Sequence, residues 1–219
     1  MTAHFVELLD QLTSRSMRMA RTVEHMLDEV CTAAIRVDTE TASRLIAQDE
    51  EIDREEVAIE AETLRLMTLF QPMGSDMRRL CTVLKVNGDL ERIADCVVNI
   101  AERIEHVQRD AIEPYRPELE QIYPAVRRML HDVLHAYSMV DEKVALRLRG
   151  EDDAIDALYE QLIRKLVIQA ARSPESLASH LDVLSIAKNL ERIADHITNI
   201  AEDVIYLSTG RIVRHTVQE

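Results

Sequence analysis

Fourteen residues, Asp89-Leu90-Glu91-Arg92-Ile93-Ala94-Asp95-Cys96-Val97-Val98-Asn99-Ile100-Ala101-Glu102, recur one hundred positions later as Asn189-Leu190-Glu191-Arg192-Ile193-Ala194-Asp195-His196-Ile197-Thr198-Asn199-Ile200-Ala201-Glu202. Ten positions are identical, and Asp/Asn and Val/Ile are near matches. So long a match at a fixed offset marks an internal duplication, and the fold must be read as two related halves. Both copies are helical by pattern. Leu90, Ile93, Val97, Ile100 and Ile104 fall at spacings of three and four, as do Leu190, Ile193, Ile197, Ile200 and Val204. That is an apolar seam of the kind helices bury against one another. At about 100° per residue, Glu91, Asp95 and Glu102 lie on the opposite face, and Glu191, Asp195 and Glu202 repeat this. Core and acidic positions were duplicated together, whereas a fold alone requires only the first set.

Composition points the same way. Of 219 residues, 47% are hydrophobic but only 3% aromatic, with no Trp and four Gly. Cores of Leu, Ile, Val, Ala and Met with few turn residues suit packed helices, and the fold class read here is all-α. A net charge of −14 argues against a nucleic-acid partner, which needs a basic surface, and is compatible with metal cations or basic proteins. Cys31, Cys81 and Cys96 are odd in number and lack CxxC spacing, as for reduced, packed thiols. The N-terminus shows no signal-peptide pattern, and no apolar run approaches the ~20 residues of a membrane span. The expectation is a cytoplasmic protein without direct membrane insertion.

The chain reads as three helices, a joint, and three helices. The first spans about Thr2 to Arg36, with Phe5, Leu8, Leu12, Met19, Val23, Met26, Leu27, Val30 and Ala34 inward. Asp38 or Thr39 caps the second, which carries Leu45, Ile52, Ile59 and Leu66 at sevens. Gln71-Pro72-Met73-Gly74-Ser75 breaks it, and Ser75 is placed to cap the third. Asn87-Gly88 inside the third helix is a turn signal. It is overruled because the seam keeps its register through it. Glu113-Pro114-Tyr115-Arg116-Pro117 is the joint, giving tandem three-helix bundles over residues 1–112 and 113–219. A fourth helix is expected from about Pro117 to Arg149, closed by Gly150. A fifth runs from about Asp152 to Ala171. The sixth is capped at Ser173-Pro174-Glu175 and ends near Ser208-Thr209-Gly210.

The second helix of each half opens on a shared acidic element. Asp49 with Asp53 matches Asp152 with Asp156, one turn apart on one face. Helices two and three are antiparallel, and Asp53 and Asp95 each lie about 20 residues from the intervening turn, so they return to similar heights. Asp156 and Asp195 do likewise. The candidate metal ligands are therefore Asp49, Asp53, Glu91 and Asp95 in one half and Asp152, Asp156, Glu191 and Asp195 in the other. Like charges this close call for a cation, and carboxylate oxygens suit Mg, Mn, Fe or Zn. The alternative is a pair of solvated faces in an acidic protein. His131-Asp132-Val133-Leu134-His135 has the spacing of a zinc-binding HExxH helix, but Asp replaces Glu and no third ligand is evident, so it reads as a surface pair. His196 reads as a packed side chain. A ferritin-like di-iron site needs Glu-x-x-His, which is absent. So are the phosphate-binding loop and the nucleophile elbow.

The doubled stretch Asp89–Asp95 and Asn189–His196, with Gln71-Pro72-Met73, Leu84-Lys85-Val86 and Gly210-Arg211-Ile212-Val213-Arg214-His215, resembles the PhoU family over nearly the whole chain. Cys96 stands where the family usually has His. The resemblance implies two three-helix bundles related by a pseudo-twofold repeat. It implies multinuclear metal clusters on their acidic faces, iron first, with zinc, manganese or magnesium as alternatives. It implies a non-enzymatic negative regulator of phosphate uptake and phosphate-starvation signalling, an adaptor between the Pst transporter ATPase subunit and a PhoR-type sensor kinase, and a homodimer. The rival readings are a metal-dependent enzyme of unknown reaction and a metal-free structural bundle.

Overall fold

A computed structural model describes residues 3–172 and 176–213. Among these, every regular element is helical: α1 (Ala3–Arg36), α2 (Thr39–Phe70), α3 (Ser75–Ile104), α4 (Arg109–Ile112), a 3-10 turn (Glu113–Tyr115), α5 (Arg116–Met139), α6 (Glu142–Leu148), α7 (Asp152–Arg172) and α8 (Leu177–Thr209). The expected cap at Ser173-Pro174-Glu175 lies outside the described residues, as does Thr2.

Local chemistry sets the helix ends. Asp38 caps α2 by accepting from the Thr41 backbone N–H at 3.1 Å. Gln71, left-handed at φ 43°, closes α2, its N–H bonding to the Met67 carbonyl. Gly74, not Ser75, occupies the cap of α3. It sits at φ 61°, a conformation glycine adopts without strain, and Ser75 is the first helical residue. Helix α3 runs straight through Asn87-Gly88, as the unbroken seam requires.

The fourth helix is shorter than expected. It ends at Met139, not Arg149. Val140 turns left-handed (φ 53°), and Asp141 caps α6 by accepting from the Lys143 and Val144 N–H groups at 3.0 and 3.2 Å. This corner repeats the one in the first half, where Val37 is left-handed (φ 54°) and Asp38 caps. The counterpart of α2 is thus α6 and α7 together, interrupted at Arg149-Gly150-Glu151; Arg149, right-handed at φ −58°, caps α6 in place of the expected Gly150. The apolar pattern could not show the corner, because Tyr137, Ala145 and Leu148 are buried on both sides of it. At the joint, Pro114 lies in the 3-10 turn and Pro117 in the first turn of α5, while Ile112 and Tyr115 are buried.

Helix α2 runs antiparallel to α1, and α6 and α7 run antiparallel to α5. Arg15 pairs with Glu55, and Glu29 with Arg44, fixing α1 against α2. Lys165 reaches Glu118, and Arg147 reaches Asp132, fixing α7 and α6 against α5. Across the halves, α1 meets α5 through Asp28 with Arg127 and Glu24 with His131. The duplicated helices α3 and α8 also lie against each other, Lys85 pairing with Asp203 and Arg103 with Asp182. Ile93, Val97 and Ile100 and their counterparts Ile193, Ile197 and Ile200 are all fully buried. Burying one such side chain contributes about 1.5–3 kcal/mol. One apolar cluster spans both halves, and it includes every predicted inward residue of α1 except Leu8, which packs against its edge.

Candidate functional site

The acidic faces form where α2 packs on α3 and where α6 and α7 pack on α8. The seam residues turn inward, and the carboxylates half a turn away are left at the surface. Exposure follows the same order in both halves. Asp49 and Glu91 are half-buried while Asp53 and Asp95 are exposed. Asp152 and Glu191 are half-buried while Asp156 and Asp195 are exposed.

Across the helices of each face the carboxylates act on one another electrostatically. Burial lifts the Asp49 carboxyl above its ordinary range, and Asp53, Asp95 and Glu102 lift it further. Glu91 is raised by burial and then by Asp95, Glu56 and Asp53. Asp95 is raised by burial and by Asp53, against opposition from Arg192, Arg92 and His196. In the second half, Asp156 is raised by burial, Glu191 and Asp153, and Asp195 by burial, Glu191 and Asp156, with Lys188 opposing in each. Asp152 is raised chiefly by burial, with Asp153 and Asp156 adding to it. Desolvation and like charge both disfavour the ionised forms.

These faces fit a hard cation in donor chemistry, and one atom argues for it directly. Asp49 Oδ1 is fully buried yet has no hydrogen-bond partner. A buried carboxylate oxygen left unpaired is costly. Among the described residues, however, no three His, Cys, Asp or Glu side chains converge as a ready-made cage for one ion. Spacing found the eight carboxylates but missed Glu56, which adds charge beside Glu91, and Lys188, which donates to Glu191 at 2.5 Å. Glu56 has no acidic counterpart in the other repeat, so comparing the copies could not reveal it.

The other candidates behave as structural groups. His131 and His135 are exposed on α5, and His131 pairs with Glu24 at 2.9 Å. The Cys96 thiol is buried, which pushes it up to about 11. Cys31, Cys81 and Cys96 are all free. His196 Nδ1 lies 2.9 Å from Oδ1 of Asp89, which is only 4% exposed, and Asn199 Nδ2 donates to the same oxygen at 3.4 Å. The packed reading of His196 therefore holds, and its partner lies on the other copy of the repeat. The sequence held one signal for this pair: Asp89/Asn189 and Cys96/His196 are two of the four positions at which the copies differ.

Fold and faces define the class: a tandem repeat of helical bundles, each bundle presenting a carboxylate surface made by two antiparallel helices. The PhoU domain profile matches residues 16–104 and 119–204. A phosphate-specific transport system accessory protein PhoU homolog of Zymomonas mobilis is 35% identical over 208 residues, covering 94% of this chain and 87% of its own length. The phosphate-specific transport system accessory protein PhoU of Escherichia coli is 31% identical over 207 residues, with 94% and 86% covered. The crystal structure of PhoU from Pseudomonas aeruginosa superposes with a TM-score of 0.88 at 30% identity, covering 94% of this chain and all of that one. The phosphate transport system regulatory protein PhoU from Streptococcus pneumoniae gives 0.87 at 29% identity, with 95% and 99% covered. The chain belongs to the PhoU family. Among the described residues, no helix is long and apolar enough to cross a membrane.

Proposed function

We propose that the chain is a non-catalytic regulator of phosphate transport that restrains uptake and phosphate-starvation signalling when phosphate is plentiful. The observation that carries this reading is that proteins named phosphate-specific transport system accessory proteins match 94% of the chain, through both repeats. Its action is that of an adaptor in the cytoplasm. The helical surface docks on the ATPase subunit of a Pst-type transporter and on a PhoR-type sensor kinase, and the working form is a homodimer. The boundary between the two repeats falls between residues 112 and 113.

Metal belongs to this proposal. Asp49, Asp53, Glu91 and Asp95 would hold ions on one face, and Asp152, Asp156, Glu191 and Asp195 on the other, with iron first and zinc, manganese or magnesium as alternatives. Bound ions would supply positive charge to surfaces that otherwise repel themselves. The orphaned Asp49 oxygen and the raised Asp and Glu groups support this. Each helix holds its pair of carboxylates one turn apart, so both members of a pair would be available to one ion or to adjacent ions.

The experiment is deletion of the gene in its own host, with a phosphate-starvation reporter measured in high phosphate. The expected result is derepression, reversed by the wild-type gene. Normal repression in the deletion strain overturns the assignment.

A further inference from the structure

The two acidic faces are copies in sequence but not in charge. Where the first repeat has Glu56 and Gly88, the second has Tyr159 and Lys188. In the first face Glu56 adds its charge to Glu91, and it is itself raised by burial, Glu60 and Asp53. The place equivalent to Lys188 is open there: a Cβ on Gly88 meets nothing within 4 Å. In the second face the Lys188 ammonium donates to Glu191 Oε2 at 2.5 Å and stands 5.4 Å from the centroid of the Tyr159 ring. It also opposes the charge on Asp156 and Asp195. Asp153 and Glu160 in turn add their charge to Asp156, so what separates the two faces is the ammonium and not the number of carboxylates. Arg192, Arg92 and His196 also oppose the charge on Asp95 of the first face. Among the described residues, neither Asp95 nor any of Asp49, Asp53, Glu56 and Glu91 has an ion pair like that of Lys188 with Glu191.

We propose that Lys188 is a built-in counter-ion of the second face, supplying there the positive charge that a metal ion supplies to the first. The first face is then the tight site for divalent cations, and the second binds only by displacing an ammonium held on Glu191 and Tyr159. The inference rests on the metal reading above. Two physical facts carry it. Affinity for hard cations rises with the negative charge of the oxygen ligands, and in the second face an ammonium is hydrogen-bonded to one of the four proposed ligands. A lysine ammonium at hydrogen-bond distance competes for the same carboxylate oxygens, and its flexible stem allows it to be pushed aside at a cost. The aromatic ring beneath it favours the seated position.

The test uses Mn2+ alone as the probe, titrated into the full-length protein with free Mn2+ counted by EPR. Glu91→Gln and Glu191→Gln assign each binding class to a face. The wild type should show two classes, the tighter lost in Glu91→Gln and the weaker in Glu191→Gln. Lys188→Ala should tighten the weaker class about tenfold, and Lys188→Gln, which keeps most of the stem, should do the same. The converse transplant, Gly88→Lys, enters open space in a helix and should weaken the tighter class about tenfold. Helical content by circular dichroism checks that each variant is folded. If the faces bind equally, or if Lys188→Ala and Gly88→Lys leave both classes unchanged, the counter-ion role is wrong while the metal reading stands. If the wild type binds no Mn2+, this inference is overturned, and if elemental analysis of the purified protein finds no iron or zinc either, the metal reading falls with it.

Discussion

Replacing His196 by Ala should expose how much the two repeats depend on one polar contact. Asp89 is 4% exposed, and His196 is its best partner at 2.9 Å. What remains after the substitution is weak: Asn199 at 3.4 Å and Arg92 at 4.0 Å. Losing a hydrogen bond to a charged group costs about 1.5–3 kcal/mol when the partner stays buried. Removing the ring, with 14% of the side chain exposed, adds about 1 kcal/mol of lost apolar burial. A total near 3 kcal/mol follows. A chain of 219 residues unfolds with an entropy of about 460 cal/mol/K, so each kcal/mol moves Tm by roughly 2 °C. The expected drop is therefore about 6 °C by calorimetry. Asp89→Asn should cost less, since the other copy carries Asn189 at the same place and an amide can be left buried more cheaply than a charge. In the double variant the two effects should fall short of additivity by about 1–2 kcal/mol. If His196→Ala costs the same whether residue 89 is Asp or Asn, with coupling below about 0.5 kcal/mol, the contact does not hold the repeats together.

Two further outcomes are expected. In metal-free protein, Glu91→Gln with Asp95→Asn should raise Tm at pH 7 by about 1–2 °C, because like-charge pairs cost about 0.2–0.5 kcal/mol each. Both carboxyls are raised in the folded chain. Between the ordinary carboxylate range and those raised values the folded state binds more protons than the unfolded state, so stability falls as pH rises through that window. The gain should vanish below about pH 3, where both groups are protonated in both states. In saturating Mn2+ the order should reverse, the wild type gaining about 2.7 kcal/mol at one hundred times its dissociation constant. A wild type whose melting ignores both chelator and Mn2+ would leave the faces merely solvated. Separately, Val140→Gly should raise Tm by about 1–2 °C by relieving a left-handed β-branched residue. Val37→Gly should gain less, because Val37 packs on the core while Val140 is 43% exposed. A loss of stability in Val140→Gly would mean that the corner carries no strain.

Helical seams were legible in the sequence because burial imposes their period. The α2 seam at Leu45, Ile52, Ile59 and Leu66 is fully or nearly fully buried as spaced. The meeting of Asp53 with Asp95 was legible too, because antiparallel helices joined by a short turn fix relative height. The corner at Val140-Asp141 was not, since helices on both sides bury residues in the same rhythm. Only the recurrence of Val-Asp from Val37-Asp38 marks it. The pairing of Asp89 with His196 was hidden because its members lie on different copies, and a motif read within one copy cannot see across to the other. Lys188 is hidden for a similar reason, since its charge lies where the copies differ and Gly88 holds the matching place.

The antiparallel contact of α3 with α8 brings together two copies of one sequence, the geometry of an isologous dimer. In such a dimer of separate identical chains, every substitution appears twice, and any residue facing the axis must tolerate its own mirror role. Joining the copies in one chain removes that constraint. A carboxylate can then be placed on one side and an imidazole on the other, as with Asp89 and His196, without creating a second pair elsewhere. The fused molecule is thereby free to give its two ends different work while keeping a single shared spine.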